Sequence, residues 1–246
     1  MGGNGSVQVT FARELREGLF LKRVNRFMGR VEIDGGEVLA HVPSSGRMQE
    51  LLYPGAKVFL LPQDGARRKT FFDLVLTVKN GVLVSVDSRL PNLLVYRSLQ
   101  RGILAPFGSG WRVKREVNYG ASRMDFRLQR GADTCFMEVK SVTLVLGGRA
   151  YFPDAPTIRG TRHLMELVAA RQDGYRAAAL FIVQRGDAHI FSPNSKTDGD
   201  FALALARAAE AGVEVYAYDC RVTLEGVTLH GGIPVEIPSV GCISGN

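Results

Sequence analysis

Cysteine is scarce in this sequence, and its three copies, Cys135, Cys220 and Cys242, stand far apart with no CxxC pair. That spacing excludes a disulfide framework and a thiolate zinc site, and it predicts reduced thiols. Long apolar runs are missing too. Nothing approaches the eighteen or so residues of a membrane span, and the opening MGGNGSVQVTFARELREG lacks the contiguous apolar stretch of a secretory leader. A cytoplasmic protein with no membrane partner is therefore expected. Acids are in deficit, 24 against 31 Lys plus Arg, for a net charge of +7. The excess is carried by arginine, whose planar fork suits phosphate. Net charge reports general attraction and not a site, so it is only a weak vote for a nucleic-acid partner. Internal repeats and low-complexity segments are absent. What is present is core-forming material, 46% hydrophobic over 246 residues, enough for one large core or two modest ones.

From about residue 7 to 86, short strand-like segments (VQVTFA, LFLKRVNRF, RVEI, VLAHV, AKVFLLP, FFDLVLTV, VLVSV) alternate with turns such as DGGE, PSSG and NG. Such punctuation predicts a small barrel or sandwich, and five or six strands suit an oligonucleotide-binding (OB) barrel, assigned to residues 1–88. Past residue 88 the texture changes. A helix is expected from Pro91 to Arg101, with proline in its first turn and Gly102 beyond its end. Strands follow at WRVKREVNY, SRMDFRL and TCFMEVKSV, then a helix in TRHLMELVAARQDG, a strand in AAALFIVQ, a helix in FALALARAAEAG and a strand in VEVYAY. Asp200 is the expected N-cap of the last helix and Gly212 its stop. Strand, helix and strand with short connections predict right-handed parallel crossovers, hence a mixed α/β domain over residues 89–232. The Gly- and Pro-rich residues 233–246 read as a loosely ordered tail.

Within SRMDFRLQRGADTCFMEVKSV two strand-like runs flank a glycine turn, and each carries an acid among apolar neighbours. Alternation along a strand puts Glu138 and Lys140 on one face. If the two runs pair as an antiparallel hairpin, Asp125 reaches the same face. Two carboxylates beside a lysine form a metal-dependent phosphodiesterase constellation: the acids hold Mg²⁺ or Mn²⁺, and Lys140 orients water or neutralises charge on the phosphorane. The bland reading is a surface ion pair between Glu138 and Lys140, worth under ~1 kcal/mol. A chain with 24 acids supplies an acid-x-Lys triplet by chance. Apolar strand context favours the functional reading, since an unpaired carboxylate there is costly. Glu116 on the preceding strand is the candidate third metal-binding acid, against a simple pairing with Arg115 or Arg123.

Basic residues mark candidate nucleic-acid contacts. Arg159, Arg162 and His163 fall at or just before a helix N-terminus, which attracts phosphate. The alternative makes Thr161 the helix cap and His163 a polar neighbour. Lys22, Arg23, Arg26 and Arg30 interleave with Phe20 and Phe27, as a single-strand platform requires, although phenylalanines in a barrel strand also read as core. Arg115 and Arg123 flank the acidic strands, and Arg67, Arg68 and Lys69 form a further cluster in a loop. His41, Ser45 and Arg47 make a small polar group without a nucleophile elbow.

KREVNYGASRMDF, MEVKSVTL, YFPDAPTIRGTRHLMEL and FSPN, with HVPSSGRM, LPNLLV and GVEVYAY, closely resemble the sugar fermentation stimulation protein A (SfsA) family from about residue 17 to 230. The resemblance implies an N-terminal OB-like domain, a C-terminal PD-(D/E)XK nuclease-like domain, and an association with DNA and with regulation of sugar-utilisation genes. It places the nuclease acid on Asp125, the E-x-K on Glu138, Val139 and Lys140, and the upstream acid on Glu116. One motif departs: the family's H-x-P-N-T-G reads His41, Val42, Pro43, Ser44, Ser45, Gly46 here, replacing an Asn amide by a serine hydroxyl that mimics an Asx turn more weakly. The expectation is a DNA-binding protein with a Mg²⁺-dependent nuclease site, single- or double-stranded partner open and a homodimer admitted. The rival is a non-catalytic DNA-binding regulator, and an RNA nuclease is a third reading.

Overall fold

The computed structural model describes residues 5–65 and 69–243. After β1 (Val7–Thr10) come β2 (Arg16–Asn25), β3 (Met28–Ile33), β4 (Gly36–His41), β5 (Lys57–Pro62), β6 (Phe72–Lys79) and β7 (Val82–Ser85). Strands β2 to β7 lie in the order β4-β3-β2-β5-β6-β7, and an added β4–β6 pairing closes five of them into a barrel. Two of its hairpins follow from sequence chemistry. Asp34-Gly35 and Asn80-Gly81 both sit at positive φ, as tight turns matching strand twist require. Phe20, Val31, Val58, Leu60 and Leu74 fill the interior.

The remaining chain forms α1 (Leu90–Gln100), β8 (Arg112–Tyr119), β9 (Ser122–Arg130), β10 (Asp133–Val142), β11 (Leu144–Leu146), β12 (Arg149–Phe152), α2 (Ile158–Gln172), β13 (Arg176–Val183), β14 (Ile190–Pro193), α3 (Gly199–Glu210), β15 (Glu214–Val222), β16 (Gly226–Ile233) and α4 (Val240–Ile243). Its main sheet runs β1-β16-β15-β13-β10-β9-β8. The centre is parallel, β10 with β13 and β13 with β15, through crossovers that carry α2 and α3, and the flanks are antiparallel. Alternation along the central strands splits the core in two. Cys135, Met137 and Val139 pack with α1, while Phe136, Ala179 and Phe181 pack with α2 and α3.

Three placements differ from the sequence expectation. VQVT does not open the barrel; β1 pairs antiparallel with β16, Val7 opposite Leu229, and buries Val7 and Val9 in the α1 core. The caps shift as well: Thr157 accepts from Gly160 N at the start of α2, and Asp198 accepts from Phe201 N at the start of α3, leaving Asp200 in the first turn. Beyond β16 the chain is held on β14 by hydrogen bonds from Phe191 N to Pro234 O and from Glu236 N to Phe191 O, each 2.9 Å.

The barrel and the α/β domain are fastened at buried points. Ser85 N donates to Gln184 O and Ser85 Oγ donates to Gln184 Oε1, both at 2.9 Å. The Gln184 amide in turn donates to Ser141 Oγ on β10 at 2.9 Å. A further, half-buried tie is made by Met48 N, which donates to Asp154 Oδ2 at 3.2 Å.

Candidate functional site

The β9–β10 ladder runs from Asp133↔Arg130 to Met137↔Phe126 and stops. The next pair along would be Glu138 and Asp125. There the Asp125 side chain replaces the ladder, its Oδ2 accepting from Val139 N at 2.8 Å and its Oδ1 from Asn92 Nδ2 of α1 at 2.7 Å. Asp125, Glu138 and Lys140 therefore converge, as the hairpin reading expected, on one wall of a cleft of about 950 Å³. Burial, then the neighbouring Glu138 charge, pushes the Asp125 carboxyl up to about 6.

Glu138 is 3% exposed and faces α2. Its Oε1 accepts from Lys140 Nζ at 2.7 Å and from His163 Nδ1. Burial would raise its carboxyl, but Lys140 and His163 outweigh that and hold it below the usual range. The His163 ring also accepts at Nε2 from Arg159 Nε, 3.3 Å away, which places the ring proton on Nδ1. Both oxygens of Asp125 and one of Glu138 are thus satisfied. Glu138 Oε2 is buried and has no hydrogen-bond partner. A buried, ionised oxygen left unpaired is costly unless something arrives to meet it. Among the described residues no three His, Cys, Asp or Glu converge as a protein-only metal cage.

Several expected site residues lie elsewhere. Glu116 stands across β8 from Asp125, but it adopts φ 51, which interrupts the ladder between Arg115↔Phe126 and Val117↔Met124. Its side chain pairs with Arg123 at 3.4 Å and is 59% exposed, so it does not join Asp125 and Glu138. His163 is 2% exposed and spent on Glu138, so it does not offer the solvent-facing contact expected of it. Arg23 donates to the carbonyls of Arg26, Ser44, Gly46 and Arg47 at 2.7–3.1 Å, so its half-buried guanidinium, which also lines the cleft, braces two loops. Arg30 pairs with Glu37 at 2.9 Å, and Arg115 lies over the Tyr96 ring. Lys22, Arg26 and Arg162 are exposed, and Arg26 and Arg159 line the cleft. Phe20 belongs to the barrel core, whereas Phe27 is 47% exposed with the Arg26 guanidinium 5.5 Å from its ring centroid. His41 pairs with Asp73 at 3.1 Å instead of with Ser45 and Arg47. Arg67 and Arg68 lie outside the described residues.

Sequence reasoning missed Asn92 and the second wall of the cleft. Asn92 had a signal, a polar side chain among Leu90, Pro91, Leu93 and Leu94 in the first turn of its helix. The second wall had none. Ser44 to Gln49 of the barrel line the same cleft as Asp125 and Glu138, where Met48 N is held by Asp154, more than a hundred residues away.

Fold and site together define an OB barrel joined to a mixed α/β domain that carries an Asp…Glu-x-Lys centre at the junction. The chain belongs to the sugar fermentation stimulation protein family: residues 21–86 match the SfsA N-terminal OB domain and residues 89–226 the sugar fermentation stimulation protein RE domain. A sugar fermentation stimulation protein homolog from Desulforamulus reducens is 51% identical over 224 residues, covering 91% of this chain and 93% of the relative. The Moorella thermoacetica homolog is 48% identical over 232 residues, covering 93% and 100%. The solved structure of Pyrococcus furiosus SfsA, described as in complex with Ca²⁺, matches with a TM-score of 0.87 at 33% identity, covering 94% of this chain and 100% of that one. Among the described residues no helix is long and apolar enough to cross a membrane.

Proposed function

We propose that this chain is a divalent-cation-dependent phosphodiester hydrolase acting on nucleic acid, with Mg²⁺ or Mn²⁺ held by Asp125 and Glu138. The observation that carries the reading is the unpartnered, buried Glu138 Oε2 beside a second carboxylate. Two carboxylates with open positions for water and phosphate suit Mg²⁺. The Ca²⁺ of the Pyrococcus relative is likewise an oxygen-seeking cation and supports the same choice. Bound there, such a cation supplies Lewis-acid charge against phosphate and lowers the pKa of water.

The protein's own part is positional. Asn92 and Val139 N fix the Asp125 oxygens, and His163, braced by Arg159, fixes Glu138. Lys140 has three donors and uses one on Glu138, which leaves the ammonium able to meet a phosphate oxygen at the same wall. The test incubates labelled single-stranded, double-stranded and branched DNA, and RNA, with protein and Mg²⁺ or Mn²⁺, beside Asp125→Ala, Glu138→Gln and Lys140→Ala. Metal-stimulated cleavage by wild type, reduced at least about 100-fold in each variant, is expected. Cleavage by all four alike rejects the assignment. Binding without any metal-stimulated turnover favours the non-catalytic regulator, for which the convergence of only two acids speaks.

A further inference from the structure

We infer that the substrate of this centre is a single-stranded polynucleotide segment, received by a rim that the barrel contributes through Arg26, Phe27 and Arg47. The inference rests on the hydrolase reading and adds its substrate class. Glu138 is buried and Asp125 half-buried, and the cleft they share is lined by barrel residues as well as by β10 and the start of α2. The two walls are tied by the Ser85–Gln184 and Met48–Asp154 hydrogen bonds, which resist opening. A cleft of about 950 Å³ is of ligand-pocket size and accommodates a few nucleotides. A duplex is a wide, stiff rod whose backbone cannot descend between two fastened walls. A single strand can, because its torsions are free and its bases can be splayed.

The barrel wall carries the matching chemistry. Arg23 draws the β2–β3 turn and the 44–47 loop together by four carbonyl contacts, so Arg26 and Arg47 project from one rim. Both are exposed, and both line the cleft. Beside them Phe27 offers an open ring with a cation over it, a surface on which a base can stack. Charge for the backbone thus stands at the mouth of a cleft that leads to Asp125 and Glu138, with a π-face for a base on the residue next to Arg26.

The experiment uses the full chain in EDTA, which stops turnover, and fluorescein-labelled probes of matched length: single-stranded DNA, single-stranded RNA and a blunt DNA duplex, followed by anisotropy. Single strands should bind at least about tenfold more tightly than the duplex, with the DNA and RNA arms deciding which sugar is preferred. Arg26→Ala with Arg47→Ala should weaken single-strand binding and shrink the slope of log K against log salt by about 1.4, two phosphate contacts' worth. Phe27→Ala should cost about tenfold and leave that slope unchanged. Circular dichroism and thermal unfolding confirm that the exposed substitutions keep the fold. Equal or tighter duplex binding, no binding of any single strand at low salt, or wild-type affinity in the Arg26/Arg47 variant overturns the inference. Single-strand preference without metal-stimulated cleavage sinks only the hydrolase reading; cleavage at duplex interiors as fast as in single strands sinks only this one.

Discussion

Asp125 is pulled two ways. Burial and the nearby Glu138 charge disfavour its anion, while Asn92 and Val139 N stabilise it, and the first pair prevails. A carboxyl whose folded pKa is raised favours folding only while protonated. Its contribution is complete below the unfolded value near 4 and is lost as pH rises through about 6. The unfolding free energy of wild type minus that of Asp125→Asn should therefore fall by about 2–3 kcal/mol between pH 4 and pH 7, read from urea titrations in the absence of divalent ions. A flat difference would show that the anion is well accommodated without a cation. His163 makes a second residue-scale prediction. His163→Ala should weaken divalent-cation binding about 10–100-fold by calorimetry, with His163→Gln recovering part of it, because the ring orients an oxygen and does not itself ligate. Unchanged affinity in His163→Ala would remove that role.

Among the elements, the β1–β16 contact is the tightest backbone approach that a side chain would disturb. A Cβ on Gly226 would stand 2.4 Å from Val9 O and 2.9 Å from Thr10 Cα, both backbone atoms that cannot swing away. Gly226→Ala should destabilise by about 2 kcal/mol and speed amide exchange in Val7 to Thr10, whereas Gly5→Ala, with nothing within 4 Å, should do neither. The same strand marks what could be read in advance. The alternation in VQVT gives a strand, and the DG and NG turns give hairpins, because those signals are local. Which sheet VQVT joins depends on Leu229 at the other end of the chain, and no local pattern carries that pairing. The helices were legible to within a few residues; the α3 cap was misplaced because Asp198 and Asp200 both satisfy the cap preference, and only the first has its carboxylate on Phe201 N. The acid pair and lysine were legible through strand alternation. Glu116 was not, since a single residue at φ 51 breaks that alternation without announcing itself in the sequence. The roles of Arg23 and His163 depend on distant carbonyl and carboxylate partners, so their type suggested free solvent-facing contacts, whereas Arg23 is engaged with carbonyls and His163 is buried against Glu138.

At the level of the whole molecule, a ligand that binds only the folded state adds RT ln(1 + [L]/Kd) to stability. At about 100 times its Kd, Mg²⁺ or Mn²⁺ should add about 2.7 kcal/mol and raise the thermal midpoint by about 5–10 °C in wild type. Asp125→Ala should show no such rise, and an equal rise in both would place the cation elsewhere. The placement of β1 has one more effect, on the life of the chain before it is whole. Strands β2 to β7 are spliced between β1 and α1, two elements that pack against each other in the α/β domain. The barrel is thus a guest leashed at both ends, unable to wander as a domain on one tether would. During synthesis it emerges complete, while β1 waits unpaired for the last strand to leave the ribosome. The newborn protein owns the lip of its cleft well before it owns a finished floor.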